Sequence, residues 1–267
     1  MTNKKMIVVD LDGTLLNKKS HCTEKTIKYL KKLKSMGFII VIATGRVLYD
    51  AMKVTNGAEF ADYIIGSCGG VVYDRNNYKL IDKNCINKEY IRRVFNIFND
   101  DFNNICVCDL FNYSRYNYQG KMGVIFDREI KDVDKFLNNN DDIVNLIIKF
   151  NDDKIVDKYA DILHDDGIEL VVMKDSFRDK RWIEVLAKDV SKYNAIKIIM
   201  NIENIDNDDV ISFGDSMNDI DMVKLSGVGV AMENAIDEIK NVSKYITISH
   251  DDDGVIYFLK KYMKEMI

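Results

Sequence analysis

Short, uninterrupted apolar runs rich in β-branched residues alternate along this chain with helix-period segments, and that alternation constrains the fold more than any other feature. Met6 to Val9, Phe38 to Ile42 and Tyr63 to Ile65 contain no polar residue. A strand with one wet face would alternate, so these runs predict strands buried on both faces, as in a parallel sheet covered by helices. Between the first two, Thr23 to Met36 sets Ile27, Leu30 and Leu33 at helical spacing, with Thr23 and Thr26 as cap candidates and Gly37 as a stop. A second helix is expected over Val47 to Asn56. The same alternation returns after about Asp189, with helices over Lys192 to Met200, Met217 to Lys224, Glu233 to Lys240 and Val255 to Met266. The strands expected there are Asp209 to Phe213, Val228 to Val230 and Tyr245 to Ile248. The fold class implied is α/β, with a doubly wound parallel sheet.

The middle of the chain follows another rhythm. Val71 to Tyr73 and Lys79 to Ile81 predict a hairpin around Asn76-Asn77. Helices are expected over Glu89 to Phe98, Glu129 to Leu137 and Lys154 to Leu163, and strands over Ile105 to Cys108, Ile143 to Phe150, Ile168 to Val172 and Trp182 to Leu186. The run Asn138 to Asp142 reads as a solvated loop. The segments on either side form one pattern, so the middle is expected to be a domain inserted into the first.

Composition narrows the function classes. The net charge is −5 and no basic stripe is present, which disfavours a nucleic-acid partner. The longest apolar run, Met36 to Ala43, falls well short of the about 20 residues a membrane helix requires. The N-terminus runs into the first strand without a signal-peptide pattern. The 5 cysteines include no C-x-x-C pair, so reduced thiols and a cytoplasmic location are expected. There are 0 prolines, so every turn is built from Gly, Asn, Asp and Ser.

The chemistry-bearing residues sit where strands are expected to end, which is where open α/β sheets bind ligands. Asp10-Leu11-Asp12-Gly13-Thr14 follows the first strand directly. Two carboxylates two residues apart, followed by a glycine that permits a sharp turn, are an unusual grouping. They do not form a calcium loop: counting from Asp10, the sixth and twelfth positions hold Leu15 and His21 rather than Gly and Glu. Thr44-Gly45-Arg46 follows the second strand, where a hydroxyl beside a helix start suits a phosphate oxygen. Gly214-Asp215-Ser216-Met217-Asn218-Asp219 follows the strand ending at Phe213. Asp215 and Asp219 stand one helical turn apart, a donor set suited to a hard cation such as Mg²⁺. Ser216 lacks the G-x-S-x-G elbow of a serine hydrolase. Lys192 opens a helix, where its charge opposes the dipole and an anion would be welcome.

The ordered set DLDGT, TGR, a lysine before a helix and GDSMND resembles the haloacid dehalogenase-like phosphatases. Ala231 to Ala235 (AMENA) and Asp252 to Val255 (DDGV) are similar to their Cof-type branch (class IIB). The resemblance implies a Rossmann-like catalytic core over residues 1–82 and 186–267, with an α/β cap of the C2 type inserted over residues 83–185. It implies Mg²⁺-dependent hydrolysis of a small phosphorylated metabolite, such as a sugar phosphate, with Asp10 as nucleophile and Asp12 as general acid and base. Mg²⁺ would be held by Asp10, the Asp12 backbone carbonyl and Asp215, with Asp219 supporting or adding to them. Thr44, Gly45, Lys192 and Asn218 would form the phosphate site, while Arg46 would shape the turn. A phosphomutase and a catalytically silent binding module are the alternatives. Two positions depart from the branch: Cys68 stands where Asn is usual, so a polar contact near the substrate is expected to be missing, and Tyr193 stands where Gly is common. Cof-type relatives often carry proline where this chain has Val47. In the cap, Arg115, Lys121, Arg181, Trp182 and the tyrosines Tyr113, Tyr116 and Tyr118 are weak candidates for substrate contact.

Overall fold

A computed structural model of the chain describes residues 5–98, 105–116, 127–174 and 180–265. The chain starts with β1 (Met6–Val9), buried at every position. Helix α1 (Glu24–Ser35) begins where the Thr23 hydroxyl accepts the Thr26 amide at 3.1 Å. There follow β2 (Ile39–Ala43), α2 (Leu48–Val54), β3 (Tyr63–Gly66), β4 (Val71–Asp74) and β5 (Lys79–Lys83). The middle stretch contains α3 (Lys88–Ile97), β6 (Ile105–Asp109), β7 (Tyr113–Tyr116), β8 (Asp127–Glu129), α4 (Val133–Asn138), β9 (Ile143–Lys149), α5 (Val156–Asp165), β10 (Leu170–Lys174) and β11 (Arg181–Leu186). The chain then forms α6 (Lys192–Glu203), β12 (Val210–Gly214), α7 (Ile220–Leu225), β13 (Val228–Ala231), α8 (Asp237–Val242), β14 (Tyr245–Ile246) and α9 (Gly254–Glu265).

The first sheet has eight strands in the order β14-β13-β12-β1-β2-β3-β4-β5. It is parallel from β14 to β3, and the β4–β5 hairpin adds an antiparallel edge. The register aligns Val9 with Phe213 on one side and with Ile42 on the other. Asp10, Thr44 and Asp215 therefore leave the sheet together, at the carboxyl ends of three neighbouring strands.

The second sheet has six strands in the order β10-β11-β9-β6-β7-β8. Its two faces follow the two-residue period of a strand. Ile105, Val107, Leu146, Ile148, Ile183 and Val185 form one core with Ile91, Val94, Leu137, Val156 and Leu163 from α3, α4 and α5. The other face turns towards the first sheet: Cys106, Cys108, Tyr113 and Ile147 cluster with Val47, and Trp182 packs against them. Asn145 lies opposite Cys108, and Glu184 lies opposite Ile147. The face opposite α3, α4 and α5 is thus the one that meets the first sheet's Val47.

Several expectations change in detail. The segment Glu129 to Leu137 is not one helix: Glu129 ends β8, and the helix begins only after Asp132, whose carboxylate accepts the Lys135 amide at 2.9 Å. Met217 to Lys224 splits into a 3₁₀ turn, Met217–Asp219, and α7. The strand β7 is additional, paired antiparallel with β6. Tyr118 and Lys121 lie outside the described residues. No helix among the described residues is long and apolar enough to cross a membrane.

Val47 has φ −66°, which proline would tolerate, but it precedes the first helical residue. Its N–H donates to the Tyr113 hydroxyl at 3.4 Å, and its side chain is fully buried against the second sheet. Val47→Pro removes that donor and that packing, so we expect a lower melting temperature. A gain in a thermal melt would instead make Val47 a compositional accident.

Candidate active site

Asp10 leaves the buried tip of β1 with its own amide donating to the Phe213 carbonyl at 3.1 Å. Its carboxylate accepts from Lys192 Nζ at 2.7 Å, and the same Nζ donates to Asp219 Oδ1 at 2.7 Å. Lys192 is only 1% exposed, because α6 begins directly beneath the site and sends this side chain inward. Asp219 Oδ2 accepts the amides of Asp215 and Ser216 at 3.0 and 3.1 Å, which folds the GDSMND turn around its own carboxylate. Asp215 accepts from the Thr14 hydroxyl at 3.1 Å. One oxygen from each of Asp10, Asp215 and Asp219 lies within 4.8 Å of the others.

Gly13 is required twice over. Its φ is +80°, and a Cβ there would stand 2.3 Å from Asp215 Oδ2. Its carbonyl accepts from Asn234 Nδ2 at 2.7 Å, so the AMENA segment braces the DLDGT loop from behind. DDGV acts elsewhere: Asp253 accepts the hydroxyls of Thr23 and Thr26 at 2.8 and 2.9 Å, tying the start of α1 to the start of α9.

Among the described residues, the three buried carboxylates of this cluster meet one ammonium, that of Lys192. Burial pushes the Asp10 carboxyl well above the usual carboxylate range; Lys192 opposes this, while Asp219 and Asp215 add to it. Burial also works against the charge on Lys192, but Asp10 and Asp219 outweigh it and hold the ammonium above its ordinary range. The pocket therefore favours an added cation.

Asp12 sits differently. Its side chain is 53% exposed, and it takes no part in the carboxylate cluster. Arg46 grips it with a two-pronged pair, Nε to Oδ2 and Nη2 to Oδ1, both at 2.6 Å. The remaining arm of Arg46 donates to Asp50 Oδ2 at 2.6 Å, and Asp50 is fully buried. Arg46 thus does more than shape a turn: it anchors Asp12 to α2. Thr44 is buried, and its hydroxyl accepts the Arg46 amide at 3.2 Å. Gly45 packs closely against its neighbours: a Cβ there would lie 3.2 Å from Cys68 Sγ, 3.7 Å from Asn218 Nδ2 and 3.9 Å from Glu184 Oε1.

The departures also find places. Cys68 has a left-handed backbone, φ 56° and ψ 22°. Its thiol donates to Glu184 Oε2 at 2.9 Å and accepts from Asn218 Nδ2 at 3.2 Å, so the polar contact expected to be lost is supplied by sulfur. Tyr193 bonds Asn207 on the far side of α6 and does not enter the site. Among the cap candidates, Arg181 is paired with Asp157, Tyr116 packs edge-on against Phe95, and Tyr113 is buried with its hydroxyl 3.4 Å from Asp50 Oδ2. Arg115 is half-buried on β7. Trp182 reaches the site through Glu184, to which its indole donates at 3.1 Å. The sequence reading passed over Glu184 because a lone glutamate in an apolar strand has no spacing signature. Its position opposite Ile147 was readable only after the register was known.

A family model described as haloacid dehalogenase-like hydrolase matches residues 7–259. A putative phosphatase of Buchnera aphidicola (Schizaphis graminum) is 31% identical, with 96% of this chain and 95% of the relative covered. A 5-amino-6-(5-phospho-D-ribitylamino)uracil phosphatase of Bacillus subtilis is 27% identical, with 97% and 98% covered. A solved haloacid dehalogenase-like hydrolase from B. subtilis superposes with a TM-score of 0.83 at 21% identity, over 96% of this chain and 99% of that one.

Proposed function

Because the chain belongs to the haloacid dehalogenase-like hydrolases, we propose that it hydrolyses small phosphate monoesters by a magnesium-dependent route through a phosphorylated Asp10. The observation that carries this reading is the placement of Asp10 on a strand tip, bonded to Lys192 and within reach of Asp215 and Asp219. The donor set fits the cation: three buried carboxylates bring their oxygens within 4.8 Å of one another, and hard oxygen ligands are what Mg²⁺ takes. Asp10, Asp215 and Asp219 would hold it, with the Asp12 backbone carbonyl as a further ligand. When bound, Mg²⁺ neutralises charge that would otherwise repel the substrate phosphate from Asp10.

The Asp10 carboxylate attacks phosphorus, so a bond from its oxygen to phosphorus forms as the ester bond to the leaving oxygen breaks. Asp12 gives that oxygen a proton, then takes one from the water that hydrolyses the acyl phosphate. Arg46 keeps Asp12 at the site and pairs with its ionised form, which takes the proton from water; for the first transfer Asp12 is protonated and one prong of that pair opens. Lys192 and Thr44 offer donors to the phosphoryl oxygens, Asn218 holds the neighbouring turn, and Gly45 lets Cys68 and Asn218 approach the Thr44 loop. Residues 83–185 act as a cap that excludes water over the site. Reduced thiols at all five cysteines suit a cytoplasmic setting.

The test is a panel of phosphorylated metabolites assayed for released phosphate. Sugar and polyol phosphates belong in it, as does 5-amino-6-(5-phospho-D-ribitylamino)uracil, on the strength of the relatives named for it. We expect turnover with Mg²⁺ and a loss of at least about a hundredfold in EDTA. Equal rates in the two conditions would remove the metal from the reaction, and phosphoryl migration without release would favour a mutase.

A further inference from the structure

We propose that Glu184 determines specificity: it selects leaving groups that donate a hydrogen bond close to the ester, and it turns away leaving groups that carry a second anion. The inference rests on the phosphatase reading above and names the substrate class for the same site.

Glu184 stands on the strand β11 and is 5% exposed. Three donors hold it: Cys68 Sγ at 2.9 Å and Asn145 Nδ2 at 3.1 Å on Oε2, and the Trp182 indole at 3.1 Å on Oε1. Burial and the nearby Glu184 carboxylate push the Cys68 thiol up, so it remains a donor. A carboxylate accepts about four hydrogen bonds. The three present leave capacity on Oε1, and Oε1 lies 3.9 Å from where a Cβ on Gly45 would stand. That places the acceptor beside Gly45, next to Thr44 and Asn218.

A second acceptor accompanies it. Asn145 is fully buried, and its Oδ1 has no hydrogen-bond partner among the described residues. The amide orientation follows from chemistry, because only its NH₂ can face the Glu184 carboxylate. Leaving such an acceptor dry is unfavourable, and a ligand donor would satisfy it.

The site therefore has two chemical ends. The β1–α6 end offers donors and an ammonium to a phosphate. The β9–β11 end offers acceptors and a negative charge. A polyol or sugar monoester matches both, with its phosphate at one end and a hydroxyl proton on Glu184 at the other. A carboxylate-bearing ester of the same size brings a like charge to a buried carboxylate and has no proton to give.

The experiment compares glycerol 3-phosphate with 3-phosphoglycerate, which differ only in a terminal CH₂OH against COO⁻, and uses p-nitrophenyl phosphate as a reference without a donor. For the native enzyme we expect kcat/KM for glycerol 3-phosphate to exceed that for 3-phosphoglycerate by about ten- to a hundredfold. Glu184→Gln should shrink that ratio by about tenfold, and it should lower glycerol 3-phosphate relative to p-nitrophenyl phosphate. Trp182→Phe, which frees Oε1 from one donor, keeps the charge and should retain the discrimination against 3-phosphoglycerate. This arm keeps the inference testable should the Glu184 variant fold poorly. Turnover of p-nitrophenyl phosphate with an unchanged ratio in Glu184→Gln, or loss of discrimination in Trp182→Phe, overturns the role of Glu184 and leaves the phosphatase reading standing. Absence of turnover on all three esters by the native enzyme with Mg²⁺ overturns the phosphatase reading, and the inference with it.

Discussion

Replacing Asp10 by asparagine is expected to abolish turnover and, in EDTA, to make the protein more stable. The activity loss should reach at least about a thousandfold, because an amide cannot attack phosphorus. The stability gain follows from the electrostatics. Burial, Asp219 and Asp215 raise the Asp10 carboxyl above its unfolded value, and Lys192 only partly offsets them. A carboxyl raised in the folded state favours folding when protonated, and that contribution is lost as pH rises through the raised value. At neutral pH this carboxyl therefore opposes folding of the metal-free protein, because the unfolded chain ionises it freely and the buried site does not. Asparagine has the shape without the charge. We expect a melting temperature higher by about 2–4 °C in EDTA near pH 7, roughly 1 kcal/mol for a chain of this size. The gain should vanish near pH 3, where the native carboxyl is protonated too. Excess Mg²⁺ should shrink or reverse it, since the native site then binds the ion more tightly than the variant does. A variant less stable than the native protein in EDTA at neutral pH would contradict the charge imbalance described for this pocket. The stability arm needs no substrate, so it tests the electrostatics separately from the reaction.

The parallel core was readable because its strands are buried on both faces and so leave uninterrupted apolar runs. Met6–Val9 and Ile39–Ala43 fall within a residue of where the pattern placed them. Asp10, Thr44, Lys192 and Asp215 were readable because each directly follows a strand or opens a helix, and the parallel register brings those ends together. The inserted sheet was harder. Its strands bury one face under helices and present the other to the site, so polar residues such as Asn145, Glu184 and Arg115 interrupt the apolar period and hide short strands such as Tyr113–Tyr116. Glu129 looked helical because charged residues recur around it, and only the Asp132 cap fixes where that helix begins.

What no local pattern carried was pairing across distance. Asp12 and Arg46 are 34 residues apart, and Cys68 and Glu184 are 116 apart. Sequence spacing brings residues together only within one element, whereas these contacts depend on strand order and on how the two sheets face each other. The substitution at position 68 illustrates the point. On the sequence it looked like a lost polar contact, but the left-handed backbone there directs the thiol between Asn218 and Glu184, where sulfur can both accept and donate.

Arg46→Ala should therefore damage the enzyme in two separable ways. The guanidinium links exposed Asp12 to buried Asp50, and desolvation of Arg46 is outweighed by the hydrogen bonds and charges of those two carboxylates. Its removal releases Asp12 into solvent, and general acid–base help is worth about 10²–10⁴-fold when correctly placed. We expect kcat to fall by about a hundredfold on glycerol 3-phosphate and by less on p-nitrophenyl phosphate, whose leaving group departs without needing a proton. The same substitution removes an ion pair from the fully buried Asp50 carboxylate, so the melting temperature should fall. Adding Asp50→Asn removes that buried charge, and part of the melting temperature should return while kcat stays low. If turnover recovers together with stability in the double variant, Arg46 acts through folding alone. If the two esters lose activity equally, Asp12 contributes nothing to leaving-group protonation, and its part in the reaction is confined to the hydrolysis of phosphorylated Asp10.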